Sequence, residues 1–200
     1  MRGRPLALLT DTIFVGLAFY FVYVYSRSLF VYRQPVTLFF LIYQLVALTL
    51  LLIRRNATAF SSSALDYIYA LVGLGAPLFF RPVEGYTDSV LSVSLELAGA
   101  FFVVGAFLSL NRSFGIAPEN RGVKTMGFYH VVRHPMYLGY ILAETGFVVG
   151  NLSQYNLFVL LIAIIFLILR VRAEERLLRE DPEYQEYTKR TPWKLIPLVF

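Results

Sequence analysis

Cysteine is absent from the 200 residues, and histidine occurs only twice. The first absence excludes disulfides, thiolate metal sites and a cysteine nucleophile. His130 and His134 stand four residues apart, but Pro135 follows directly and no third ligand is at hand, so no metal is expected. Charge is scarce as well. Asp, Glu, Lys and Arg make up 16% of the chain, whereas soluble domains carry about 25%, so a water-facing surface is hard to assemble. What the chain has instead is apolar mass: 58% of it is hydrophobic and the mean hydropathy is +0.62. The net charge of +5 belongs to residues at the ends of apolar runs, a topology signal rather than a nucleic-acid patch.

A membrane-crossing helix needs roughly 20 predominantly apolar residues. Six candidate spans follow: Leu6–Tyr25, Val36–Ile53, Ala64–Phe80, Ser89–Leu110, Pro135–Gly150 and Tyr155–Leu169. The third and fifth are at the short limit. With the N-terminus inside, 15 Lys and Arg residues fall on the cytoplasmic side and 3 on the other, the asymmetry of the positive-inside rule. The opening basic residues and apolar run resemble a signal peptide, but no small-x-small site follows, so a retained first helix is expected. The expected fold is an all-α polytopic bundle with both termini cytoplasmic, embedded in a lipid bilayer. The chain reads as one membrane domain, with N-terminal spans over 1–110 and a motif region over 111–200.

Polar material is concentrated after the fourth and sixth spans. Pro135 suits the first turn of a helix, where its missing N–H costs nothing, and His134 falls at the N-cap, behind which free N–H groups favour an acceptor or anion. Gly139 lets a ligand or another helix approach its backbone closely. Arg170 and Glu174 are i and i+4, on one helix face. Only Asn151-Leu-Ser-Gln154 separates the fifth and sixth spans, so a tight antiparallel hairpin brings His134–Tyr137 beside Arg170–Glu175.

These blocks carry a resemblance. Gly127-x-Tyr129-x-x-x-Arg133-His134-Pro135-x-Tyr137-x-Gly139, then an apolar hairpin, then Arg170-x-x-x-Glu174-Glu175-x-x-Leu178, resembles the isoprenylcysteine carboxyl methyltransferase family. The tail Tyr184-x-x-Tyr187-x-x-Arg190-x-Pro192 is similar to it too. The resemblance covers roughly residues 111–200. It implies an integral membrane methyltransferase that uses S-adenosylmethionine, the C-terminal hairpin and cytoplasmic tail forming the cofactor site. By that resemblance Tyr129, His134, Pro135, Met136, Tyr137 and Glu174 hold the cofactor, and Gly122, Val123 and Lys124 line its mouth. Arg170 faces a lipophilic methyl acceptor and, with Glu174, carries the catalytic role.

Transfer of methyl from a sulfonium is an in-line displacement on an already activated carbon, so a protein has chiefly to align donor and acceptor and exclude water. Arg170 suits an acceptor carboxylate through paired hydrogen bonds. A carboxylate acceptor ranks first, with a phospholipid amine, a thiol or a phenol as alternatives. Glu144 lies three turns into the fifth span, where an ionisable group is a functional candidate by default. It reads either as a wall of the acceptor's binding site or as a buried acid bonded to a neighbouring helix, whereas Asp11 and Glu96 read as structural. Two other classes remain open: an NADPH-dependent membrane reductase of the sterol-reductase kind, and a non-catalytic scaffold or transporter.

Overall fold

A helix satisfies its own backbone, which is why apolar runs in a lipid environment take that form. The computed structural model, which describes residues 4–32, 35–85, 89–116 and 118–199, turns each expected run into a helix. They are α1 (Arg4–Tyr32), α2 (Pro35–Ile53), α3 (Ala64–Gly75), α4 (Val90–Leu110), α5 (Pro135–Gly150) and α6 (Gln154–Leu178). A short amphipathic α7 (Pro182–Arg190) follows. The fold is an all-α bundle.

The helices are unequal. Among the described residues, Pro5–Val31, Val90–Ser113 and Gln154–Leu178 are long and apolar enough to cross a membrane. The third and fifth runs, already at the short limit in the sequence, give the short helices α3 and α5, of 12 and 16 residues. With 16 residues, α5 rises roughly 24 Å at about 1.5 Å per residue, short of a hydrocarbon core of about 30 Å. Pro135 fixes its start and Asn151 its end. The third run breaks at Gly75, where a 3-10 turn, Ala76–Leu78, carries Pro77.

Local chemistry sets the helix starts. Ser89 and Ser92 form a reciprocal capping box on α4. Ser153 accepts from the Asn156 N–H to cap α6. Asp181 caps α7, with Pro182 in its first turn. The α5–α6 turn is tied down by fully buried Asn156, whose amide donates to the carbonyls of Arg81 (2.8 Å) and Asn151 (2.7 Å) and accepts from the Arg81 N–H.

Helices α4 and α5 run antiparallel in close contact along a glycine seam. A methyl group on Gly139 would stand 2.7 Å from the Gly99 carbonyl oxygen and 2.6 Å from a Val103 methyl. The bare backbone of Gly139 therefore serves α4, which settles one of the two uses the sequence left open. Short strands β1 (Ala59–Phe60) and β2 (Glu119–Asn120) pair antiparallel, with Ala59 opposite Asn120. This ladder, which the apolar pattern gave no reason to expect, ties the segment after α2 to the loop after α4.

Candidate active site

The loop before α5 and the start of the C-terminal tail are held together by one buried ion cluster. Arg133 donates to both carboxylate oxygens of Glu175, at 2.8 and 3.0 Å. Its remaining terminal nitrogen donates to the carbonyls of Thr191 and Pro192, both at 2.8 Å. The Tyr184 hydroxyl adds a third bond to Glu175, at 2.7 Å. The backbone N–H groups of Arg133 and His134 donate to the carbonyls of Trp193 and Lys194. Tyr187 reaches back to the Tyr129 carbonyl. Glu175 is thus the hub that straps the tail across the start of α5.

The neighbouring Glu174 faces a different way. Its side chain is 16% exposed, against 5% for Glu175, and it lines a pocket of about 680 Å³. The Tyr137 hydroxyl donates to Glu174. His134 sits between the two glutamates, with Nε2 3.0 Å from Glu175 and Nδ1 3.6 Å from Glu174. Burial works against its charge, but hydrogen bonds to Glu174 and Glu175 outweigh that and raise its pKa. His134 is stacked on Tyr137, with ring centroids 5.6 Å apart.

The pocket gathers most of the residues singled out from the sequence. Gly122, Val123, Lys124, Tyr129, His134, Met136, Tyr137 and Glu174 line it. Pro135 is buried at the head of α5, outside the lining. Sequence reasoning missed Ser113, Glu119, Arg121, Tyr184 and Tyr187, which share the wall. Glu119 and Arg121 pair only two residues apart, a pattern that looks like ordinary loop polarity until the β1–β2 ladder turns it inward. Tyr184 and Tyr187 had a signal in their spacing, one turn apart on α7. Burial outweighs the nearby Arg121 and raises the Glu119 pKa.

The donor set fits S-adenosylmethionine. Ser113 Oγ and Glu119 Oε1 are buried polar atoms without partners on this wall, and buried polar groups normally find one. Glu174 offers acceptors to hydroxyl or ammonium groups, Lys124 and Arg121 offer charge to a carboxylate, and Leu110, Met136 and Leu178 offer flat apolar walls to a base.

Arg170 and Glu144 stand apart from this pocket. Arg170 is wholly buried. It donates to the Ile116 carbonyl, its Nε lies 3.6 Å from Glu174, and its guanidinium lies 4.9 Å from the Tyr137 ring centre. Its Nε and Nη1 have no hydrogen-bond partner. On the far side of Ile116 lie two adjoining cavities, of about 640 and 1180 Å³. Both are walled by Phe21, Tyr43, Gln44, Tyr140 and Glu144. The inner one reaches Phe107, Phe114 and Ile116. Arg170 therefore occupies the partition between a polar pocket and a mostly apolar chamber. Glu144 belongs to the chamber, and one of its carboxylate oxygens is buried without a partner.

Residues 87–184 match the family model described as phospholipid methyltransferase. The match covers just under half of the chain, from the approach to α4 to the start of α7, and contains every pocket residue named above except Tyr187. No curated protein matches the chain significantly. The matched segment has the character of a membrane methyltransferase. The match does not specify the isoprenylcysteine enzymes expected from the sequence.

Proposed function

We propose that this protein is an integral membrane methyltransferase that uses S-adenosylmethionine and methylates a lipophilic acceptor, with O-methylation of a carboxylate as the leading reaction. The observation that carries the reading is Arg170: a buried guanidinium with two unpartnered nitrogens, set between a polar pocket and an apolar chamber. Arg170 already lies beside Glu174, but a buried guanidinium N–H without an acceptor is costly, and an acidic acceptor group arriving from the chamber would satisfy it.

In this reading the cofactor supplies an activated methyl group from the pocket. Tyr129, the His134–Tyr137 segment and Glu174 hold it, with Gly122–Lys124 at the mouth. Arg170 orients the acceptor oxygen. Tyr137 and Tyr140 keep water out of the partition, so that attack is in line and hydrolysis is suppressed. A carboxylate nucleophile needs no general base. Glu144 contacts the acceptor deeper in the chamber. The pocket end and both termini would face the cytoplasm, as the charge asymmetry predicts.

A second reading, methylation of a phospholipid amine, is favoured by the family match. Arg170 would then hold the lipid phosphate, and the amine would have to lose its proton before attack. One experiment separates the two. Purified protein is incubated with methyl-labelled S-adenosylmethionine and a lipid extract, and the labelled product is treated with base. Release of labelled methanol identifies a methyl ester; label that stays non-volatile, on the deacylated headgroup, identifies an amine. Binding of NADPH without S-adenosylhomocysteine, together with no labelled lipid, sinks both readings.

A further inference from the structure

A separate open cleft lies between the start of α1, the end of α2 and the β1–β2 ladder. Its two halves differ in chemistry. Leu8, Leu51 and Leu52 form an apolar flank, with Leu8 59% and Leu52 66% exposed. Arg54, Arg121 and Asp11 form the polar end. Arg54 pairs with Asp11, yet this pairing leaves a remainder on both sides: Arg54 Nη1 and Asp11 Oδ1 are buried without partners.

The surroundings are electropositive. The Arg55 N–H bonds to the Arg112 carbonyl, and the Arg112 and Arg121 side chains donate to the carbonyls of Ile53 and Arg55. Three arginine side chains, Arg54, Arg112 and Arg121, thus meet two carboxylates, Asp11 and Glu119. An unsatisfied guanidinium N–H seeks an anionic oxygen. An unsatisfied carboxylate oxygen beside it seeks a donor. The apolar flank leading from this end suits acyl chains, and basic pockets between membrane helices are a known form of lipid headgroup site.

We propose that this cleft binds an anionic glycerophospholipid whose headgroup carries a hydroxyl. Its phosphate sits on Arg54 Nη1 in the field of Arg121, its headgroup hydroxyl donates to Asp11, and its acyl chains lie along Leu8, Leu51 and Leu52. This is a site for a resident lipid, distinct from the chamber that receives the methyl acceptor. Arg121 also lines the cofactor pocket, so the two sites share a wall.

The test is native mass spectrometry of the purified full-length protein in detergent, titrated with dioleoyl-phosphatidylglycerol, with dioleoyl-phosphatidylcholine as a lipid lacking a headgroup donor. S-adenosylhomocysteine affinity is measured in parallel. Phosphatidylglycerol is expected to bind and phosphatidylcholine to be stripped at the same concentration. Arg54→Gln is expected to weaken phosphatidylglycerol about tenfold, the scale of one charge-assisted hydrogen bond, with S-adenosylhomocysteine affinity unchanged. Asp11→Asn keeps an acceptor oxygen and removes the competing charge, so it should bind the lipid at least as tightly as the parent. Equal retention of the two lipids, or undiminished binding by Arg54→Gln, overturns the proposal. So does displacement by equimolar inorganic phosphate, which would mark a free-anion site. Loss of lipid in both variants together with loss of thermal stability overturns it too, since the pair would then be structural. The S-adenosylhomocysteine readout keeps this outcome separate from the fate of the methyltransferase reading.

Discussion

At the scale of single residues, two adjacent glutamates divide the work. Glu175 is enclosed by Arg133, His134 and Tyr184, and removing its charge leaves a buried Arg133 without its carboxylate. Glu175→Gln should therefore lower stability by roughly 3–5 kcal/mol, the cost of breaking a buried pair, read as a drop in the melting temperature of the solubilised protein. Glu174→Gln keeps the fold and loses the charge that faces the pocket. It should weaken S-adenosylhomocysteine binding about tenfold, measured by calorimetry, with a smaller drop in melting temperature than Glu175→Gln, since Glu174 also faces His134 and Arg170. Equal effects of the two variants on both readouts would show that the division does not exist. His134 adds a pH signature. Its folded pKa is raised through Glu174 and Glu175 against the opposing pull of burial, so its contribution to stability is complete below the unfolded value of about 6.5. That contribution declines as pH rises from there through the raised folded value. Melting temperature should fall across that window in the parent and fall less in His134→Asn.

At the scale of elements, the site depends on how closely α5 approaches α4. The seam at Gly99 and Gly139 leaves no room for even one methyl group. Gly139→Leu must push the helices apart, and overpacking of this kind costs about 1–3 kcal/mol or more. The displacement carries Met136 and Tyr137 with it, since they lie one turn away on α5. Both stability and S-adenosylhomocysteine affinity should fall together, and an unchanged affinity would show that α5 positions the pocket independently of α4. The sequence marked Gly139 as a point of close approach but left open whether a ligand or a helix came near; only the packing of α4 decides that. Helix length was equally hard to read. An apolar run shows where a helix lies, while Pro135, Asn151 and the 3-10 turn at Ala76–Leu78 fix how far it extends.

At the scale of the whole molecule, the proposed function rests on two compartments, one lined by many charged side chains and one mostly apolar, that approach each other at Arg170. The pocket belongs to the loop after α4, the start of α5, the end of α6 and α7. The chamber belongs to α1, α2, the end of α3, α4 and α5. Filling one should spare the other. Gln44→Trp adds bulk to the wall of both cavities in the chamber, and methyl transfer to a lipophilic acceptor should drop by at least about tenfold, since a misplacement of about 1 Å costs about a hundredfold. S-adenosylhomocysteine affinity should stay within about twofold, because Gln44 does not line the pocket. If transfer persists at full rate, the acceptor does not pass through the chamber.

The sequence by itself determined the membrane character, the helical class and the local pairings that depend on short spacing. Apolar runs and scarce charge leave few other solutions in lipid, and the short α5–α6 connection makes the Arg-His-Pro block a neighbour of the Glu174–Glu175 end. Tertiary structure alone decided what lies far apart in the chain. The β1–β2 ladder turned Glu119 and Arg121 into the pocket, Arg133 strapped the tail onto Glu175, and the chamber arose between helices whose sequences show mostly apolar residues. Periodicity records which face of a helix is apolar. It does not record the gap left between two such faces, because that gap is a property of neither sequence segment alone.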